Sequence, residues 1–395
     1  MPDTKKELSA SEFINMMLDS AITERASDVH IEPRMKDIRM RFRIDGILHE
    51  KWIKPLYELE AIINRIKVLT NLDITTRDVP QEGHFLKEMP ATPPLSQSQI
   101  IDVRVSIFPT IYGESIVLRL LNQENVLLNL DTLGFNEHAL AIYKSLISST
   151  YGMVLVTGPS GAGKSTTLYA TLLALRTLEK NIVTLEDPVE LHLEDIRQTQ
   201  ITETSRGLTY AMGLQRILRQ DPDVIMIGEI RDPGTAEQAV RASLMGRIVL
   251  STIHANSALG TIARLIEMKV ERSLIAYALN GVISQRLVRT ICPSCRIAYT
   301  PGLECLRYFG FEGKDHEFIK GKGCDLCHHT GYAGRTSIVE VLEIDDDLQL
   351  YIVERASMHK LAEYIAGKKL HTLKKDAINK ILAGITTCEE AMRTV

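Results

Sequence analysis

The sequence predicts an α/β protein: a doubly wound domain built around a glycine-rich strand-to-helix turn, preceded by a smaller α+β domain. Two observations predict it. Four apolar runs, at 153–157, 182–186, 224–228 and 248–252, alternate with stretches of helical character. Runs of this kind lose polar alternation because both faces of a parallel sheet are covered. Upstream of residue 127 the strands instead alternate apolar and polar residues, the pattern of a half-buried sheet.

Within that first part, Phe13, Ile14, Met17, Leu18 and Ala21 recur at helical spacing and predict a helix over 11–26. Over 37–45, Ile38, Met40, Phe42 and Ile44 alternate with Arg39, Arg41 and Arg43; Asp45-Gly46 is a hairpin dipeptide leading into Ile47 and Leu48. A second helix is expected over 58–70. Ile101, Val103, Val105 and Ile107 mark one face of a strand at 101–108, and Gly113 turns the chain into a strand at 115–121. The Pro/Ser/Gln-rich stretch 87–99 reads as a hairpin loop. The expected organisation is an α+β domain over 1–127, a linker over 128–136 and an α/β domain over 137–395, with helical signals near 346–366 and 371–383.

Composition sets outer bounds. The 395 residues are 45% hydrophobic and 24% charged, as in ordinary globular chains, and their length suits two or three domains. A net charge of −4 gives no basic field for nucleic acid. The N-terminal MPDTKKELSASEF lacks a signal-peptide core, and no apolar run approaches the roughly 18–20 residues that span a bilayer. A cytoplasmic chain is expected, meeting a membrane through a partner.

The string GPSGAGKS at 158–165 fits G-x-x-x-x-G-K-[ST], and it follows an apolar strand and opens a helix. Glycines let backbone N–H groups curl around phosphate oxygens, and the helix N-terminus adds partial positive charge. Gly158, Pro159, Ser160, Gly161, Ala162, Gly163, Lys164, Ser165 and Thr166 are therefore expected to hold a nucleotide such as ATP, with Lys164 on the β/γ-phosphates and the Ser165 hydroxyl on Mg²⁺. A chance glycine-rich turn is disfavoured by the strand–loop–helix context. Carboxylates are needed as well, and two strand ends offer them: Glu186-Asp187 before Pro188, and Glu229. Gly228 stands where many such enzymes place a Mg²⁺-binding Asp, so the division of labour stays open. Glu229 is favoured for orienting or deprotonating water, with Glu186 in support. Two acids at strand ends beside a phosphate loop are less readily idle than one. Thr252 or His254, ending a fourth strand, could sense a γ-phosphate; a structural histidine is an equal reading.

Six cysteines include the pairs Cys292/Cys295 and Cys324/Cys327, with 28 residues between the pairs. Two CxxC knuckles can complete a tetrahedral Zn²⁺ shell with no open position, hence a structural metal. Four reduced thiols are the bland alternative. Cys305 and Cys388 are expected to be free. Arg296, Lys314, Lys320 and Lys322 surround the quartet; a solvated surface is favoured over contact with anionic lipid or a partner.

Taken together, GPSGAGKSTTLYA, TLEDPVE, LRQDPDVIMIGEIRD and STIHAN resemble, in order, the Walker A, Asp box, Walker B and His box of the type II secretion and type IV pilus assembly ATPases, the secretion system protein E family. ASDVHIEP, RFRIDG, DVRVS and VLRLL resemble that family's second N-terminal domain, and the cysteine pairs its metal-binding insertion, here 290–330. The resemblance spans 10–395. It implies a hexameric motor with a PAS-like N-terminal domain and a RecA-like P-loop ATPase domain, driving pseudopilus or pilus assembly at the inner membrane beside platform and anchoring proteins. It carries onto Arg104 and Arg119 the role of reaching the nucleotide phosphates, with Arg39, Arg41 and Arg43 as weaker candidates, and matches Arg219 to a family arginine. His84 and Gln215 stand where the family commonly has arginine, Arg216 lies beside the latter, and the far N-terminal domain is missing from this sequence. A retraction motor of the same fold is disfavoured because that branch lacks the cysteine insertion. A nucleic-acid translocase is disfavoured by the net charge. A non-hydrolysing scaffold would tolerate loss of Glu229.

Overall fold

Ser9 and Glu12 cap the first helix reciprocally, Glu12 N–H donating to Ser9 Oγ at 3.3 Å and Ser9 N–H to the Glu12 carboxylate at 2.9 Å. That helix, α1 (Ala10–Thr23), buries the expected Phe13, Ile14, Met17, Leu18 and Ala21. It stops short of residue 26 because Arg25 takes a left-handed φ of 56° and Ala26 already begins a strand. The computed structural model describes residues 8–89, 99–122, 129–202, 207–312, 316–368 and 370–395. Most of the expected 87–99 loop, the start of the linker and Lys314 lie outside the described residues. The chain divides into two compact units, Met1–Val126 and Leu127–Val395.

In the first unit α1 is followed by β1 (Ala26–Pro33), β2 (Asp37–Ile44), β3 (Ile47–Pro55), α2 (Leu59–Leu69), β4 (Gln81–Met89), β5 (Gln99–Thr110) and β6 (Gly113–Asn122). The strands form one antiparallel sheet in the order β3-β2-β1-β6-β5-β4. Both helices share a core with Val29, Ile31, Met40, Phe42, Val103, Val105, Ile116 and Leu118, so they cover one face. Because side chains alternate, the other face is polar. Register there sets His84 opposite Arg104, Arg104 opposite Arg119, Arg119 opposite Asp28, and Asp28 opposite Arg43.

The second unit begins with α3 (Glu137–Ile147), behind which Leu130 and Phe135 are buried. It continues through β7 (Gly152–Thr157), α4 (Lys164–Leu175), β8 (Ile182–Glu186), β9 (Arg197–Gln200), α5 (Tyr210–Ile217), β10 (Val224–Ile227), α6 (Pro233–Leu244), β11 (Ile248–Ile253), α7 (Ala258–Glu267) and α8 (Arg272–Ala278). Then come β12 (Leu279–Ile291), β13 (Arg296–Tyr299), α9 (Leu303–Phe309), β14 (Phe318–Gly321), β15 (Tyr332–Glu343), α10 (Asp346–Val353), α11 (Met358–Gly367), α12 (Leu373–Leu382) and α13 (Cys388–Thr394). Seven strands form a sheet in the order β15-β12-β7-β11-β10-β8-β9, with β15 antiparallel to its neighbour and the other pairs parallel. Met153, Leu155, Ile225 and Ile227 face one core and Val154, Val156, Val224 and Met226 the other, which is why their runs read as uniformly apolar. The helical signal over 346–366 proves to be two helices, separated where Arg355 takes a φ of 59°.

Candidate nucleotide site and cysteine centre

The turn after β7 has the conformation its glycines allow. Gly158, Gly161 and Gly163 take φ of 154°, 75° and 83°, and Gly163 caps α4. A side chain on Gly158 would sit 2.4 Å from the Gln285 carbonyl oxygen, so β12 presses directly on the loop. Gln285, 2% exposed, braces it from that strand: its Nε2 donates to the Ala162 carbonyl at 2.8 Å, and its Oε1 accepts from Thr167 Oγ1 at 2.8 Å. Thr157 Oγ1 donates to the carbonyls of Ile253 and Ala255, both at 2.9 Å, tying the loop to the end of β11. Ser160, Ser165 and Thr166 are exposed, and the first N–H groups of α4 lack intrahelical acceptors. Lys164 Nζ lies over the loop, donating to the carbonyls of Gly158 and Pro159 at 3.0 Å each. Burial pulls its pKa down, Glu229 opposes this, and Arg286 adds to it.

The two acids differ in setting. Glu186 is 3% exposed and accepts from Tyr169 Oη, from Thr184 Oγ1, and from Gln198 Nε2 at 3.0 Å. Tyr169 belongs to α4, so Glu186 ties the phosphate-loop helix to β8. Glu229, its side chain 15% exposed, pairs with Arg231 and has His254 Nε2 3.6 Å from its other oxygen. Thr252 Oγ1 donates to the Gly228 carbonyl at 2.8 Å. The second unit therefore brings Lys164, Glu229 and His254 together and sets Glu186 behind them as a brace. Gln285, Tyr169 and Arg231 were not visible as site residues; Gln285 had no signal because β12 itself carries no clean period.

In the first unit Arg104 and Arg119 line a cleft of about 310 Å³ with Glu82, His84, Ser106 and Val117. Arg119 Nε lies 3.1 Å from Asp28, and Arg104 Nε 3.8 Å from Asp102. Arg39 and Arg41 both pair with Glu32, and Arg43 lies 3.7 Å from Asp28. Gln215, Arg216 and Arg219 are exposed on and just after α5.

The four knuckle cysteines converge. Their sulfurs all lie within 4.8 Å of one another, with Cys292–Cys324 at 3.8 Å, Cys295–Cys327 at 3.9 Å and Cys324–Cys327 at 3.7 Å. A tetrahedron with Zn–S bonds of about 2.3 Å has edges of about 3.8 Å, so the donor set fits Zn²⁺. Backbone N–H groups point at the sulfurs: Gly323 at Cys295, and Cys324 and Gly331 at Cys327, all between 3.2 and 3.3 Å. Against the upward push of burial, those amides bring the Cys327 thiol down to about 7, while burial raises Cys292 to about 11. Cys305 and Cys388 sit in a separate apolar core with Phe309 and Phe318.

A glycine loop at the end of a parallel strand, a lysine folded over it and acids on neighbouring strand ends define a P-loop nucleoside-triphosphate hydrolase. Residues 3–393 match the profile of the family described as Type II/IV secretion system protein. The type II secretion system protein E of Dickeya dadantii is 46% identical over 382 residues, covering 96% of this chain and 74% of the relative. The type IV pilus assembly ATPase PilB of Thermus thermophilus is 41% identical over 393 residues, 98% of this chain and 43% of the relative. Among solved structures, the Legionella pneumophila ATPase DotB superposes with a TM-score of 0.69 at 21% identity, covering 100% of this chain and 97% of that one, a likeness of fold. The chain belongs to the type II/IV secretion system protein family, and it is an ATPase of the type II secretion and type IV pilus class.

Proposed function

We propose that this ATPase hydrolyses ATP at the 158–165 loop and drives pseudopilus or pilus assembly, working as a cytoplasmic hexamer held to the inner membrane by platform and anchoring proteins. The observation that carries the assignment of roles is the convergence of Lys164, Glu229 and His254 at the ends of adjacent strands. Lys164 and the loop N–H groups hold the phosphates, and the Ser165 hydroxyl is the protein's ligand for Mg²⁺, which when bound neutralises phosphate charge. Glu229 orients the attacking water, Glu186 fixes α4 against β8, and His254 reads the γ-phosphate. Arg104 and Arg119, on a unit of their own, supply guanidinium charge to the phosphates. The first unit is read as PAS-like, on the strength of an antiparallel sheet with helices on one face, and the second as RecA-like. Cys292, Cys295, Cys324 and Cys327 hold a structural Zn²⁺. Arg296, Lys320 and Lys322 near that centre are read first as a solvated surface, with contact to anionic lipid or a partner as the alternative. Among the described residues no helix is long and apolar enough to cross a membrane.

Glu229→Gln tests the assignment. Nucleotide binding should persist by calorimetry while turnover falls by at least about a hundredfold, the usual scale for general acid–base catalysis. Wild-type turnover in this variant would remove Glu229 from the reaction and favour a scaffold that binds ATP only to assemble.

A further inference from the structure

The ring of Tyr210, first residue of α5, is 6% exposed and belongs to the same core as Leu185 and Ile227. Its hydroxyl reaches out of that core to the ends of β8 and β10. A Cβ on Gly228 would stand 2.9 Å from Tyr210 Oη and 3.4 Å from the Leu185 carbonyl oxygen, so the hydroxyl occupies the space beside the residue preceding Glu229. There it is buried with no hydrogen-bond partner among the described residues. An unsatisfied buried hydroxyl costs stability, and phenylalanine would fill the same ring space without that cost. The charges that act on it are those of the candidate site: Asp187, Glu229, Arg231 and Glu186.

Glu229 pairs with Arg231, whose side chain is 57% exposed. Only one Glu229 oxygen meets Arg231, the other being the one His254 approaches, and an exposed guanidinium is a mobile anchor for that first oxygen. If water is to be held in a fixed direction, a second, immobile donor is needed when the guanidinium swings away. A neutral donor serves better than a cation, because it holds the carboxylate without cancelling the charge that polarises the water. Burial, with Asp187 and Glu229 adding to it, pushes the Tyr210 phenol well above its ordinary value, so it keeps its proton and remains a donor.

We propose that Tyr210 is a positioning residue for hydrolysis, its hydroxyl holding the Glu229 carboxylate when that group leaves Arg231 for the attacking water. This rests on the reading of Glu229 given above. The test is steady-state ATP hydrolysis by the full chain carrying Tyr210→Phe, Glu229→Gln or both, with thermal midpoints measured alongside. Loss of a hydrogen bond to a charged group predicts that Tyr210→Phe lowers kcat about tenfold. The KM for ATP should stay within about twofold, the midpoint should be unchanged or raised, and the double variant should be no slower than Glu229→Gln alone. Wild-type kcat in Tyr210→Phe beside an inactive Glu229→Gln overturns the proposal and leaves the Glu229 assignment standing. A fall in kcat accompanied by a lowered midpoint and a raised KM marks a packing role and also overturns it. Wild-type turnover in Glu229→Gln overturns both readings at once.

Discussion

Arg104 and Arg119 stand directly opposite each other on adjacent antiparallel strands of the N-terminal sheet. Like charges in that position cost stability, so the pair is not there to hold the sheet together. Asp28 sits against Arg119 and Asp102 near Arg104, but the two cations still line one cleft with His84. Arg104→Ala and Arg119→Ala should leave the thermal midpoint unchanged or slightly raised. Each should lower kcat at least about tenfold, since guanidinium charge at a transferring phosphoryl group is worth far more than that. Nucleotide binding by the isolated subunit should be spared. Unchanged turnover in both variants would exclude them from the mechanism.

Gln285 carries a separate expectation. Its amide satisfies the Ala162 carbonyl and the Thr167 hydroxyl at once, from a strand on the far side of the phosphate loop. Gln285→Ala takes the amide donor from the Ala162 carbonyl in a buried setting, at about 1–3 kcal/mol, and leaves the Thr167 hydroxyl with only the Gly163 carbonyl at 3.2 Å. The loop would lose its preset curl, so affinity for ADP, read by calorimetry, should weaken about tenfold or more. Gln285→Glu keeps an acceptor for Thr167 but sets a buried carboxylate against the Ala162 carbonyl, two acceptors with no proton between them, and should weaken affinity at least as much. Wild-type affinity in the alanine variant would show that the loop holds its shape unaided.

The central strands and the phosphate loop could be read from the chain because their signals are local. Four apolar runs and one glycine motif need no knowledge of distant partners. β1 escaped because Asp28 turns its side chain to the polar face and the register slips between Ala26 and Asp28, leaving Val29 and Ile31 as its clearest apolar positions. β12 and β15 escaped because Gln285, Arg286 and Arg289 interrupt the first, and the glycine and polar residues at the start of the second hide its period. The same reason concealed Gln285 and Tyr210 as members of the site. Their importance comes from what a different strand brings against them, not from the residues beside them in sequence. The cysteine quartet was legible because ligand spacing within each knuckle is itself a local signal.

That quartet predicts about one Zn per chain by elemental analysis of purified protein. Cys324→Ser with Cys327→Ser should abolish the metal and lower the thermal midpoint, because the centre joins the end of β12 to the loop before β15. The neighbouring core of Val288, Phe309, Phe318 and Ile381 should be the region that loosens, visible as faster amide exchange in β13 and β14. Nucleotide affinity should change little, since the phosphate loop is braced by Gln285 and Thr157 instead. Metal-free protein of undiminished stability would reduce the quartet to four thiols.

The C-terminal helix α13 predicts an acid limit to stability. Glu390, its side chain 1% exposed, accepts from Arg289 at 2.7 Å and from Arg393 at 2.8 Å, and also from the Arg289 backbone N–H at 3.1 Å. Burial pushes its pKa up, but the two guanidinium groups and the backbone donor outweigh burial, so the folded value lies below the ordinary 4.5. A carboxyl whose pKa is lower in the folded than in the unfolded state binds more protons when unfolded. Its contribution is therefore complete above about pH 4.5 and is lost as pH falls through the folded value. Urea midpoints measured from pH 7 to pH 3 should show this loss. Glu390→Gln should flatten the slope below pH 4.5 and cost about 1–3 kcal/mol at pH 7, because the half-buried Arg289 is left beside a neutral partner. Equal slopes in the two proteins would assign the acid limit to other carboxylates.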